Sequence, residues 1–157
     1  MLQGDPDRWS ARTEILLFTA ARRDHLERTI QPALDAGKVV ICDRFADSTR
    51  MYQGLSRGDL RAMVDQLHSL MIGVEPDMTI LIDMDPAKGL SRALSRQTVE
   101  ERFEDFGEDL QKAMRAGFLA LAKEYAARFE VIDGAREIDE VAGDVLAVVQ
   151  TQLEKAV

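Results

Sequence analysis

A single cysteine, Cys42, is the only thiol in these 157 residues. No internal disulfide and no cysteine-based metal cluster can therefore be built. Inside an apolar run, Cys42 reads as a small buried hydrophobe. Asparagine is absent, which removes every N-glycosylation acceptor. There is no low-complexity tract, linker-like stretch or internal repeat, so a single domain spanning 1–157 is expected. No apolar stretch approaches membrane-spanning length and no signal-peptide pattern is visible, so the expected setting is a reducing cytoplasm without membrane contact. Basic residues are in deficit: 20 Lys and Arg against 28 Asp and Glu give a net charge of −8. That balance argues against nucleic acid as a bulk partner, since neutralising phosphates needs clustered cations. It leaves room for a small phosphorylated ligand in a local basic pocket.

What is present has the makings of an ordinary globular core, with 46% hydrophobic and 31% charged residues. Ser10 is placed to cap a helix on which Ile15, Phe18, Arg22 and Leu26 lie along one face. On that spacing Phe18 and Leu26 are core, and Arg22 is an edge residue with a packed stem and a solvated head. Pro32 kinks or restarts the helix and Gly37 stops it. Asp59 is expected to cap another helix, with Leu60, Val64, Leu67 and Met71 buried and Gly73 at its end. His68 on that helix lacks a ligand-spaced partner and reads as structural or exposed.

Met78–Met84 is a buried-strand pattern. Asp85 and Pro86 then open a helix carrying Leu90, Ala93 and Leu94, with Arg92 and Arg96 one turn apart. Periodicity breaks over 97–107, where Glu100, Glu101, Arg102, Glu104 and Asp105 surround Phe103. Such a segment is either a lid or a solvated connection, and composition does not separate the two. A long helix with Leu110, Met114, Phe118, Leu121 and Tyr125 follows, then a strand over Phe129–Asp133 ended by Gly134. The last helix, about Ile138 to Leu153, buries Val141, Val145, Val149 and Leu153.

The most informative stretch is Lys38 to Gly54. Val39 to Cys42 is too short for a helix and β-branched, which predicts a strand buried on both faces. It ends at Asp43-Arg44, a carboxylate and a planar fork of donors at the position where open α/β sheets bind ligands. Asp43 could help hold a hydrated metal ion and Arg44 a phosphate. A surface ion pair is an equally good reading of these two residues alone. The alternation of helices and strands predicts an α/β fold with a parallel sheet and flanking helices. All three expected strands end at Asp (Asp43, Asp83, Asp133), so the ligand edge would be Asp-rich and lined by Arg44, Arg92, Arg96 and Arg102.

Several of these segments resemble bacterial thymidylate kinases, in that family's order. Leu17-Phe-Thr-Ala-Ala-Arg22 is similar to the family's LFxAAR helix. Asp43-Arg44 and Ser48-Thr-Arg-Met-Tyr-Gln-Gly54 are similar to its DR…ST…AYQG segment. Pro76–Asp83 with Gly89-Leu-Ser-Arg-Ala93 resembles PDLTLYLD…GLxRA, Glu101-Arg-Phe-Glu104 the lid motif DRIE, and Val131–Ala135 the turn beside adenine. The resemblance implies a P-loop NTPase fold of the nucleoside-monophosphate kinase type, ATP and dTMP as substrates, Mg²⁺, and a homodimer. It also implies that Phe18 packs on thymine and Arg22 hydrogen-bonds the base, against the edge-residue reading of Arg22. Thr49, Tyr52 and Gln53 would surround the nucleoside. Arg44 would grip the dTMP phosphate, with Asp43 near the metal. Arg102, with Arg92 and Arg96, would act from the lid, and Gly134 and Ala135 would lie by adenine.

One departure stands out. Nothing in the sequence fits G-x-x-x-x-G-K-[ST]; Gly37-Lys38 has neither the upstream glycine nor the following hydroxyl. The expectation is a chain lacking the family's first βαβ part, a fragment of a longer kinase, that binds dTMP but does not by itself transfer phosphate. The alternatives are a catalytically dead binding or dimerisation module and, against the thymine-facing set, a kinase for another phosphorylated acceptor.

Overall fold

The computed structural model describes residues 8–54, 58–89 and 108–155. They fall into two compact units, Met1–Glu75 and Pro76–Val157. Segment 97–107, expected from the sequence to be a lid or a connection and carrying Arg102, lies outside the described residues, as do Arg92, Arg96, Leu90, Ala93 and Leu94.

In the first unit, α1 (Ala11–His25) begins where expected, with the Thr13 amide donating to Ser10 Oγ at 3.2 Å. Ile15 and Leu26 are buried and Phe18 and Arg22 half-buried, so the apolar stripe forms as spaced. Pro32 then acts as anticipated, but through a specific device. A π-helical turn, Leu26–Ile30, precedes α2 (Gln31–Asp35). Pro32 has no N–H to give and its ring crowds the carbonyl four residues back, so the local widening accommodates it. Gly37 at φ 69° closes α2, with Gly37 N donating to Leu34 O at 2.8 Å and Lys38 N to Ala33 O at 3.0 Å. That pair of bonds is the Schellman stop, and it needs the left-handed residue.

The segment Lys38–Cys42 corrects the sequence reading. It forms no regular element and pairs with no strand among the described residues. Val40 and Cys42 pack against a core cluster of Leu26, Ile30 and Ile72. Val39 and Ile41 are 63% and 91% exposed, so one face of the run is bare rather than buried. A strand exists only through the ladder that a neighbour supplies, and β-branched composition alone does not provide it.

Two more helices complete the unit: α3 (Ala46–Tyr52) and α4 (Arg61–Met71), the latter packed on α1 and α3. The α4 cap is Leu60, without a side-chain bond, and not Asp59. Its buried positions are Val64 and His68, while Met71 is 45% exposed. The predicted stripe is therefore rotated toward the histidine, for reasons given below.

The second unit holds a parallel pair, β1 (Thr79–Asp83) and β2 (Phe129–Asp133), in step from Thr79 opposite Phe129 to Asp83 opposite Asp133. Asp85 caps the turn that begins at Pro86, its Oδ1 accepting from Ala87 N at 3.0 Å. Helix α5 (Glu108–Glu124) packs on both strands and α6 (Ile138–Lys155) on β2. Met114, Leu121, Phe129 and Ile132 form the buried contacts. The expected apolar face of α6 is only half-covered: Val141, Val145 and Val149 are intermediate and Leu153 is exposed. The result is a parallel sheet with flanking helices, as predicted, with two strands rather than three among the described residues.

Candidate functional site

The first unit gathers most of the sequence's candidate residues where Cys42–Phe45 runs into α3. The turn is made at Arg44, whose φ of 65° places a non-glycine residue in the left-handed region. That conformation costs an L-residue about 1 kcal/mol or more. The Cys42 thiol donates to the Arg44 carbonyl at 3.4 Å, and burial raises its pKa, so this sulfur is a poor nucleophile. The Arg44 side chain is exposed, with its guanidinium 5.3 Å from the Tyr52 ring centroid. Asp43 is exposed and makes no hydrogen bond or ion pair with a described residue.

Arg22 reaches this turn from α1. Its Nη2 donates to Thr49 Oγ1 at 2.6 Å and to the Phe45 carbonyl at 3.3 Å, and the guanidinium stands 5.3 Å from the Phe45 ring centroid. Burial, then the nearby Arg50 charge, lowers its pKa, although a guanidinium stays cationic at any physiological pH. Its hydrogen-bond partners among the described residues are neutral oxygens, an unusual arrangement for a half-buried arginine.

Beneath the turn lies an ion network. Arg50, with its side chain 3% exposed, donates to Asp47 at 2.7 Å, Asp65 at 2.8 Å and Glu75 at 2.6 Å. Arg61 also reaches Asp65, at 2.7 Å. His68 Nε2 approaches Glu75 Oε1 to 3.1 Å, without the alignment of a proper hydrogen bond, and its ring meets Phe45 edge-on at 6.2 Å. The pull of this network explains why α4 turns His68 inward and Met71 outward. Burial would push the Glu75 carboxyl up, but His68 and Arg50 outweigh it and hold its pKa at about 2. Burial likewise works against the Arg50 charge, and the three carboxylates more than offset it.

A pH dependence follows. Glu75 has a folded pKa depressed from 4.5 to about 2, so its contribution is fully present above 4.5 and is lost as pH falls through that interval. Thermal melts between those limits should show stability falling by about 1 kcal/mol from this group, after allowance for its partial exposure. Glu75→Gln should flatten that part of the curve; an unchanged acid limb would contradict the assignment.

A sequence-family model described as "Thymidylate kinase" matches residues 1–145. A protein of Ruegeria pomeroyi named thymidylate kinase is 74% identical over 155 residues, spanning 99% of this chain and 74% of its own. A Dinoroseobacter shibae protein of the same name is 65% identical over 147 residues, spanning 94% of this chain and 71% of its own. The chain belongs to the thymidylate kinase family. A solved structure of thymidylate kinase from Ehrlichia chaffeensis superposes with a TM-score of 0.70 at 35% identity, covering 91% of this chain and 66% of that one.

Of the residues that the thymidylate kinase resemblance singled out, Arg22, Thr49, Arg44 and Tyr52 are drawn into contacts around one turn. Phe18 is half-buried on the same face of α1 as Arg22. Gln53 is buried, its amide donating to the buried Glu14 at 3.2 Å. Gly54 follows because nothing larger fits: an added Cβ would lie 2.3 Å from the Arg50 carbonyl oxygen.

The second unit does not form the expected open carboxylate edge. Asp83 is held by Arg115 in two bonds of 2.7 Å each, and the arginine lowers its pKa. Asp133 Oδ1 accepts from Ala135 N at 2.9 Å, and Arg136 pairs with Asp144. Gly134 donates to the Asp83 carbonyl at 2.7 Å, where a Cβ would meet Ile82 Cγ2 at 2.5 Å. Sequence reasoning missed Arg50, Glu14 and Arg115. The Asp47–Arg50 spacing of three on a helix was the one available signal, and it points equally to a surface pair.

Proposed function

We propose that this chain forms the dTMP-binding part of a thymidylate kinase that transfers the γ-phosphoryl of ATP to a phosphate oxygen of dTMP, giving ADP and dTDP. The reading rests on Arg22, a half-buried cation that bonds neutral oxygens of Thr49 and Phe45 beside the strained Arg44 turn. Arg22 and Thr49, with Phe18, select the thymine. Tyr52 and Gln53 shape the nucleoside side of the site, Gln53 from beneath through Glu14. Arg44 presents its fork to the acceptor phosphate. Asp43, exposed and unengaged by described residues, suits a place in the hydration shell of Mg²⁺. Mg²⁺, when bound, would neutralise charge on the phosphates. Arg102, with Arg92 and Arg96, adds guanidinium charge toward the transferring group, and Gly134 and Ala135 border the adenine of ATP.

The sequence holds no G-x-x-x-x-G-K-[ST] pattern to cradle a triphosphate. We therefore expect these 157 residues to bind dTMP without turning it over. The homodimer and the cytoplasmic setting belong to the same proposal; among the described residues no helix is long and apolar enough to cross a membrane. The test is a thermal melt of the chain with dTMP, and with dAMP for comparison. At a hundredfold excess over Kd, dTMP should stabilise the fold by about 2.7 kcal/mol, several degrees in Tm, with no such effect of dAMP. A folded chain indifferent to dTMP is instead a nucleotide-free dimerisation module.

A further inference from the structure

We propose that Arg50 is a positioning residue of the acceptor site, holding α3 where Thr49 and the Phe45 carbonyl meet Arg22; this rests on the reading of that site as the dTMP pocket. Helix α3 has seven residues and no side-chain N-cap, so it is too short to keep its place unaided. Two guanidinium groups hold it instead. Arg22 comes from α1 to Thr49 and Phe45. Arg50 leaves α3 from the adjacent position and joins it to Asp65 on α4 and to Glu75 beyond α4, while also bracing Asp47 one turn earlier.

The geometry is specific to arginine. Nε serves Asp65, Nη1 serves Asp47 and Nη2 serves Glu75, so one planar fork satisfies carboxylates from three segments. A lysine ammonium, a point charge, cannot span those three directions. Without the fork, Asp47, Asp65 and Glu75 would repel one another next to Thr49. The Arg50 carbonyl is also the atom against which Gly54 closes, so the clamp and the end of α3 are one unit. Any shift of α3 changes the Arg22–Thr49 distance directly, and ligand affinity is sensitive to displacements of this kind.

The experiment is Arg50→Lys in the 157-residue chain, with dTMP affinity read by calorimetry and folding checked by circular dichroism at the same temperature. Arg28→Ala is the control, since Arg28 pairs with Asp24 on the open surface. We expect a loss of at least about fivefold for the lysine variant and a change within about twofold for the control. A smaller loss in a folded lysine variant overturns the proposal. Should that variant not fold, Glu75→Gln leaves Arg50 with Asp47 and Asp65; it is expected to weaken binding by about threefold or more, and unchanged affinity overturns the proposal. If the parent chain itself binds no dTMP, the pocket reading fails separately. The positioning claim is then decided by hydrogen exchange of the Arg22 guanidinium: faster exchange in Arg50→Lys or Glu75→Gln supports it, and an unchanged rate overturns it.

Discussion

Arg44→Ala should weaken dTMP binding by about a hundredfold, the loss expected when a charge-assisted fork to a phosphate is removed. Arg44→Gly should weaken it equally, yet the two variants should differ in stability. Both lose the contact with the Tyr52 ring, so that term cancels. What remains is the backbone at φ 65°, which glycine adopts freely and alanine does not. The glycine variant should therefore be the more stable by about 1 kcal/mol in urea unfolding, against the usual order of these residues. Backbone strain of this kind is a pattern of functional sites. Equal stabilities would remove the strain argument, and undiminished dTMP affinity in either variant would remove Arg44 from the pocket.

The second large effect is expected at Gly54. An alanine Cβ there would sit 2.3 Å from the Arg50 carbonyl oxygen, 3.1 Å from its carbon and 3.3 Å from the Arg61 Cα. All three are backbone atoms, and the two shortest belong to Arg50 on the same helix end. Relief therefore requires the Gln53–Gly54 backbone to swing off the end of α3, with Arg61 of α4 close on the other side. That movement is opposed by the Gly54 amide donating to the Thr49 carbonyl and the Leu60 amide donating to the Gly54 carbonyl, each at 3.0 Å. Overpacking of this kind costs about 3 kcal/mol. Gly54→Ala should lose that much stability in urea unfolding, and dTMP binding should weaken with it because the Thr49 carbonyl holds the Gly54 amide in the turn that must give. Gly37 offers the contrast: its Cβ would meet nothing within 4 Å, and its requirement comes only from its φ of 69°. Gly37→Ala should therefore cost about 1 kcal/mol and leave binding intact.

Local chemistry was readable in the sequence because it depends on neighbours along the chain. The Ser10 cap, the Gly37 stop, the restart at Pro32, the strand patterns leading to Asp83 and Asp133, and the alignment of Ile15, Arg22 and Leu26 all follow from helix and strand periodicity and from backbone sterics. The type of fold followed from the order of those elements, and the candidate site from the wording of a few segments. The tertiary structure alone decided what depends on partners distant in sequence. Val39–Cys42 has strand composition but no ladder among the described residues. Asp83 looks like an open carboxylate until Arg115, 32 residues later, closes on it. Arg22 reads as a solvated edge residue until Thr49, 27 residues on, accepts its bond. Arg50, indistinguishable in sequence from a surface arginine, becomes the buried centre of three carboxylates only when α4 and Glu75 fold against it. Hydrogen bonds and ion pairs between distant segments leave no periodic trace, because only folding brings their partners within reach.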